Sequence, residues 1–269
     1  MTGWDDPTTA AYYEAFCERH DRYAQANRDL VAKAELAPGL AVLDLGAGTG
    51  GTLQLLLPAL GDAGTVLCVE PAQAMRAVGM SRVQAPRVRW QESLPTGEAG
   101  FDRIVCSAAL WQLCPLDETF RRLRALLRPG GILCFNIPAQ YLGVPDQPGG
   151  GEDPWLVGLI LHLAQGRSSL APPTEPLPNP EELDRLLIEA GFQPERWVLR
   201  TRLTQTTYRD WLKIPVITDW LLGELDPDER AERIDAAFRH VDPGSWRWED
   251  WYGWVARAGA IPPRRLGPV

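Results

Sequence analysis

The chain has 269 residues, enough for one large α/β domain carrying insertions. With 45% hydrophobic and 23% charged residues it has the composition of a folded protein, which excludes wholesale disorder. A formal charge of -8 argues against a nucleic-acid partner, whose phosphates call for a basic face.

In chain order, residues 8–36 read as helix, with Tyr12, Ala15, Phe16, Arg19, Tyr23 and Ala26 near a 3.6 period and Pro38-Gly39 as the stop. Ala41 to Leu45 is a short apolar run bounded by glycine, hence a buried strand. Thr49 to Leu60 reads as helix, ended or kinked by Pro58. Thr65 to Val69 is a second strand and Pro71 to Arg82 a second helix. Arg87 to Gln91 and Phe101 to Cys106 follow as strands, then the amphipathic helix Leu116 to Leu127 and the strand Gly131 to Ile137. Strands alternating with helices at this spacing predict right-handed βαβ units and a parallel sheet covered on both faces.

Residues 138–180 break the pattern with many prolines and glycines around the apolar patch 155–163, as in a functional insertion. Asn179-Pro180-Glu181-Glu182 then opens a helix with an N-cap, a proline in the first turn and two acids. That helix runs to Ala190 and closes at Gly191. Arg196 to Leu203 and Trp248 to Ala256 read as strands, and residues 206–240 as mostly helical.

Composition also speaks to setting. Cys17, Cys68, Cys106, Cys114 and Cys134 are odd in number and form no CxxC pair; three sit in apolar runs, as thiols do in a reducing cytosol. The acidic N-terminus has no apolar secretory segment, and Trp155 to Leu163 is too short to span a bilayer. A cytoplasmic protein with no membrane and no nucleic-acid partner is expected. Arg121, Arg122, Arg124 and Arg128 are expected on the solvated side of one helix.

The chemistry concentrates at Val42-Leu43-Asp44-Leu45-Gly46-Ala47-Gly48-Thr49-Gly50-Gly51. A glycine-rich turn from strand to helix lets the backbone approach a ligand and presents amide donors at a helix N-terminus. By spacing it satisfies GxGxxG and GxGxG alike. Asp44 would repel a pyrophosphate but suits an ammonium group, and Glu70 after the second strand can accept from ribose hydroxyls.

On these residues the chain resembles the class I S-adenosylmethionine-dependent methyltransferases, within them the trans-aconitate and ubiquinone-pathway type. Val69-Glu70-Pro71, Glu92-Ser93-Leu94-Pro95, Phe101 to Ser107 with Leu110-Trp111, and Leu127 to Leu133 match that family's further motifs in order. The resemblance implies a Rossmann-like fold: a seven-stranded, mostly parallel sheet with helices on both faces and a helical substrate cap. Its parts would be a helical lid at 1–37, a core at 38–138, 179–204 and 248–258, and a cap from 139–178 and 205–247. Its last strand would be antiparallel.

The cofactor implied is S-adenosylmethionine, with S-adenosylhomocysteine as product. Asp44, Gly46, Ala47, Gly48 and Gly50 would hold its aminoacyl end, Glu70 its ribose, Pro71, Gln91 and Glu92 its adenine, and Ser107 would lie beside the sulfonium. The family often has an aspartate where this chain has Trp90, so stacking or Glu92 would serve there.

The partner implied is a partly hydrophobic small-molecule acceptor, methylated at oxygen, nitrogen or carbon by in-line displacement, and the protein a monomer or homodimer. No paired acid and base stands out. His20 and Tyr13 on the N-terminal helix are the catalytic candidates, with packing as their plainer role. His20, His162 and His240 are too scattered for a metal site, so no metal is expected. Trp211 and Trp220 would either wall the acceptor or bury the cap. Two other readings stay open: a module that binds the cofactor without methylating, and a nicotinamide-dependent oxidoreductase, against which Asp44 tells.

Overall fold

The computed structural model describes residues 3–97, 100–144, 147–150, 162–163 and 177–259. The short apolar runs become the strands β1 (Ala41–Leu45), β2 (Thr65–Val69), β3 (Val88–Gln91), β4 (Phe101–Ser107) and β5 (Leu127–Pro138). These five are mutually parallel, in the order β3-β2-β1-β4-β5. Two long strands complete the sheet. β8 (Trp246–Ala258) runs antiparallel beside β5, and β7 (Phe192–Thr204) pairs with the other edge of β8 over its whole length. That makes seven lateral positions; the short β6 (Gln147–Gly150) extends the β5 edge against Trp246 and Trp248.

Both faces are covered. On one side α5 (Leu116–Leu126) and α6 (Pro180–Glu189) bury Phe120, Leu123, Leu183 and Leu187 against Phe135 and Trp254. On the other, α2 (Arg22–Lys33) and α3 (Gly51–Leu60) bury Leu30, Leu53, Leu56 and Leu60 against Val42, Val66 and Val105. α4 (Gln73–Arg82) needs a glycine at 79, because a Cβ there would stand 2.3 Å from the Trp90 ring. Trp90 is thereby committed to packing over Gly79 and Gly50.

A second core lies off the sheet. Phe16 of α1 (Pro7–Arg19) packs with Trp211, Leu212, Leu221, Leu222, Ile234 and Phe238 of α7 (Gln205–Leu212), α8 (Pro215–Leu222) and α9 (Pro227–Phe238). The N-terminal helix and the helical insertion therefore share one apolar body.

Several expectations need adjusting. The helix expected over 8–36 is two helices, because His20 takes an extended conformation (φ -130°, ψ 136°) and turns the chain between α1 and α2. Pro58 does not end α3 at once: the helix runs two residues further, to Leu60, without the bond that an amide at 58 would give the Gln54 carbonyl. Each long strand outruns its expected bounds, since the β7–β8 pairing continues to Phe192↔Ala258 and Thr204↔Trp246. Arg124 is not on a solvated face: it is buried and donates to the Gly191 and Gly259 carbonyls. Most of the insertion 139–178 lies outside the described residues.

One ion pair ties the N-terminal helices to the sheet. Arg22 of α2 meets Glu249 of β8 through Nε at 2.9 Å and Nη2 at 2.5 Å, both residues buried at 5% and 2% exposure. The Arg22 guanidinium also lies 4.7 Å over the Trp211 ring. Removing one partner leaves a buried charge alone, whereas removing both does not. Arg22→Met should lower the unfolding free energy in urea by about 3–5 kcal/mol. Adding Glu249→Leu should restore most of that loss, and a single variant as stable as wild type would show the pair to be idle.

Candidate active site

The site forms where β1 and β2 end side by side. After Leu45 the chain turns through Gly46 (φ 69°), Gly48 (φ 53°) and Gly50 (φ 83°) into α3. A Cβ on Gly46 would stand 2.4 Å from that of Ala109, so only glycine fits this approach. The Gly46 and Ala47 amides donate to the Val69 carbonyl at 2.9 and 3.1 Å, stapling the turn to the end of β2. Glu70 completes the staple: its carboxylate accepts from the Gly48 amide at 2.8 Å and the Ala72 amide at 2.9 Å.

Asp44 lies at the floor of this turn, 1% exposed, and its Oδ2 has no hydrogen-bond partner. Burial, and then the charge of Glu70, push its carboxyl from an ordinary 3.8 up to about 7. Glu70 is also raised, by burial, against the lowering pull of its two backbone amides. Two buried acids beside a turn rich in amide donors suit a ligand with a cationic group and hydroxyls to donate. Burying a carboxylate oxygen with nothing to accept from is costly, and an ammonium beside it removes that cost. The residues present therefore fit an amino-acid-bearing nucleoside.

The other expected residues surround this centre unevenly. Ser107, at the end of β4, donates to Asn27 Oδ1 at 2.6 Å, with Asn136 Oδ1 at 3.2 Å. Pro71 is exposed, and its carbonyl accepts from Arg76 at 3.0 Å. The Gln91 side-chain amide turns back to the Ser93 carbonyl, and Glu92 is exposed at the end of β3. Tyr13 is partly buried between the rings of Trp4 and Tyr23, at 5.9 and 5.4 Å. Burial pushes its hydroxyl well up, with Cys17, Tyr23 and then Glu70 adding to the shift.

His20 is elsewhere. Its Nε2 is 2.9 Å from Asp210 and its Nδ1 3.3 Å from Thr207, both on α7, so it links the end of α1 to α7 rather than facing the glycine turn. The His162 and His240 rings, far apart in sequence, lie 5.5 Å from each other.

Sequence reasoning missed Arg22, Asn27, Asn136 and Tyr141. Asn27 sits one turn from Tyr23 on α2, and Asn136 donates back to the Ala26 carbonyl at 3.1 Å. Tyr141 stacks on Trp111, ring centres 5.0 Å apart. A polar residue near the end of an apolar strand was the available signal for Asn136; α2 offered none for Asn27.

The Asp44 carboxyl sets a pH dependence. Its folded value lies above its unfolded one, so its contribution is full below about pH 4 and is lost as pH rises through about 7. Asp44→Asn should therefore raise the melting temperature of the ligand-free protein at pH 8, by at most about 4 kcal/mol of stability, and make no difference near pH 4. A gain that is the same at both pH values would refute the buried-acid account.

Residues 42–131 match a family model described as a methyltransferase domain. A ubiquinone/menaquinone biosynthesis C-methyltransferase of Shewanella frigidimarina is 27% identical over 179 residues, spanning 62% of this chain and 71% of that one. A trans-aconitate 2-methyltransferase of Azoarcus is 27% identical over 232 residues, spanning 83% and 80%. The YcgJ protein of Bacillus subtilis superposes with a TM-score of 0.57 at 17% identity, covering 88% of this chain and 100% of its own; it shares the fold. With the five-strand parallel sheet, the antiparallel β8 and the acid-lined glycine turn, these likenesses support a class I S-adenosylmethionine-dependent methyltransferase of the small-molecule type.

Proposed function

We propose that the enzyme methylates a partly hydrophobic small molecule held between the glycine turn and the helical cap. The observation that carries this reading is the orphaned Asp44 oxygen, buried beside amide donors and one strand away from Glu70. Asp44 with Gly46, Ala47, Gly48 and Gly50 would hold the aminoacyl end of the cofactor. Glu70 would accept from the ribose hydroxyls, Pro71, Gln91 and Glu92 would flank the adenine, and Ser107 would lie beside the sulfonium. S-adenosylmethionine, when bound, supplies a methyl group on a sulfonium that is open to in-line displacement.

The protein's remaining work is to orient the acceptor and exclude water. Tyr13 keeps its proton, because burial raises its hydroxyl, so it serves as a hydrogen-bond donor and not as a base. Trp111, Tyr141 and Tyr23 supply flat apolar surface near Ser107. His20 holds the lid on the cap through Asp210 and Thr207. No base is assigned among the described residues, so oxygen, nitrogen and carbon acceptors all stay open, and one relative is named for a C-methyl transfer. In this reading residues 1–37 are the lid, 139–178 and 205–247 the cap, and the remaining segments the cofactor-binding core. Five unpaired cysteines go with a cytoplasmic setting, and no helix among the described residues is long and apolar enough to cross a membrane.

Thermal unfolding with saturating S-adenosylmethionine, S-adenosylhomocysteine or NAD tests the reading. A ligand at about a hundred times its dissociation constant stabilises the fold by about 2.7 kcal/mol, a shift of a few degrees. The first two should give that shift and NAD none, and Glu70→Ala should abolish it. A shift with NAD alone would overturn the assignment. With an acceptor in hand, Tyr13→Phe should lower kcat roughly five- to tenfold, the worth of one hydrogen bond. His20→Ala should lower stability and leave the chemical step intact.

A further inference from the structure

We propose that Asn27, on α2 of the lid, binds the carboxylate of the aminoacyl group whose ammonium faces Asp44. This rests on the cofactor reading above and adds to it a residue from outside the glycine turn and its neighbouring strands. Asn27 is 9% exposed, and its Oδ1 is taken by the Ser107 hydroxyl at 2.6 Å. Its amide nitrogen makes no hydrogen bond among the described residues and, unlike the enclosed Asp44 oxygen, keeps some access to solvent. That nitrogen is pressed against the start of α3, since a Cβ on Gly51 would lie 3.2 Å from it.

The start of α3 is itself open. Gly50 is its N-cap and provides no side-chain acceptor, and the first turn holds no acid. The leading amides of a ten-residue helix therefore lack a partner and carry the positive end of its dipole. A side-chain amide donor with nothing to donate to, nearly buried and set against unpaired backbone donors, is a donor set for an anion. Asp44, at the floor of the same turn, offers the opposite charge. A zwitterion with its ammonium on Asp44 and its carboxylate between Asn27 and Gly51 satisfies both. The Asn27 oxygen stays on Ser107, so seating the carboxylate also fixes the hydroxyl at the end of β4.

The test compares S-adenosylhomocysteine with 5′-methylthioadenosine, which keeps the nucleoside and thioether but lacks the amino and carboxyl groups. Dissociation constants are measured by calorimetry on wild type, Asn27→Ala and Asn27→Asp. Asn27→Ala should weaken S-adenosylhomocysteine about ten- to a hundredfold, as for a lost hydrogen bond to a charged group. Asn27→Asp should weaken it further by like-charge repulsion, and both should leave 5′-methylthioadenosine within about twofold.

Equal losses for the two ligands would make Asn27 a packing residue and overturn the proposal. So would an Asn27→Asp protein that melts higher and binds S-adenosylhomocysteine unchanged, for Asn27 would then cap α3 through its oxygen. If wild type binds 5′-methylthioadenosine but not S-adenosylhomocysteine, no carboxylate is held and the proposal fails while the nucleoside site stands. If it binds neither, the cofactor reading fails first.

Discussion

The Glu70 carboxylate, accepting from Gly48 on one side and Ala72 on the other, is the constraint on which the rest of the site depends. It joins the exit of β1 to the exit of β2, and the Val69 carbonyl repeats the join through Gly46 and Ala47. With the turn held there, α3 must start at Gly50–Gly51 and point its amides over the strand ends. The same arrangement leaves Asp44 enclosed beneath the turn, with an acid neighbour and no donor for one oxygen. A fold optimised only for stability would have an apolar residue at that position. A buried acid there trades stability for an electrostatic environment that a cationic ligand completes.

Above that floor, one helix connects the sheet, the helical insertion and the end of β4. α2 sends Arg22 to Glu249 on β8, Tyr23 to the Trp211 indole at 3.0 Å, and Asn27 to Ser107 on β4. Its lower half buries Leu30 against the sheet. α1 continues the chain of contacts into the cap through Phe16, and outward through Glu14 to Arg82 on α4. Arg82 also donates to the Thr49 carbonyl at 3.1 Å, within the glycine turn. The lid is thus tied to both sides of the site, to the turn through α4 and to the cap through α7.

The α/β order was legible because it rests on local signals: apolar runs of strand length, glycine and proline breaks, and an N-cap such as Asn179, which does accept from the Glu182 amide. That Asp44 and Glu70 would meet beside the glycine turn was legible because each stands at the end of a short apolar strand next to it. What the sequence hid depends on partners distant in the chain. Nothing around His20 signals that Asp210, 190 residues on, will take its ring and break the helix. Arg124 reads as a surface arginine until the Gly191 and Gly259 carbonyls close over it. Trp90 reads as a flat surface for a base, yet Gly79 across from it absorbs the ring into packing.

Asn27 shows why the lid matters for recognition and not only for closure. A glycine turn alone supplies backbone donors, which bind any anion that fits and distinguish little. An acid alone attracts any cation. On the proposed reading, a neutral amide across from a buried acid favours a ligand that carries both charges at a set separation over a nucleoside without the aminoacyl group. Asn27 rides on the helix that also carries Arg22 and Tyr23, so a ligand held by Asn27 on the proposed reading would meet a helix already bonded to β8 and α7.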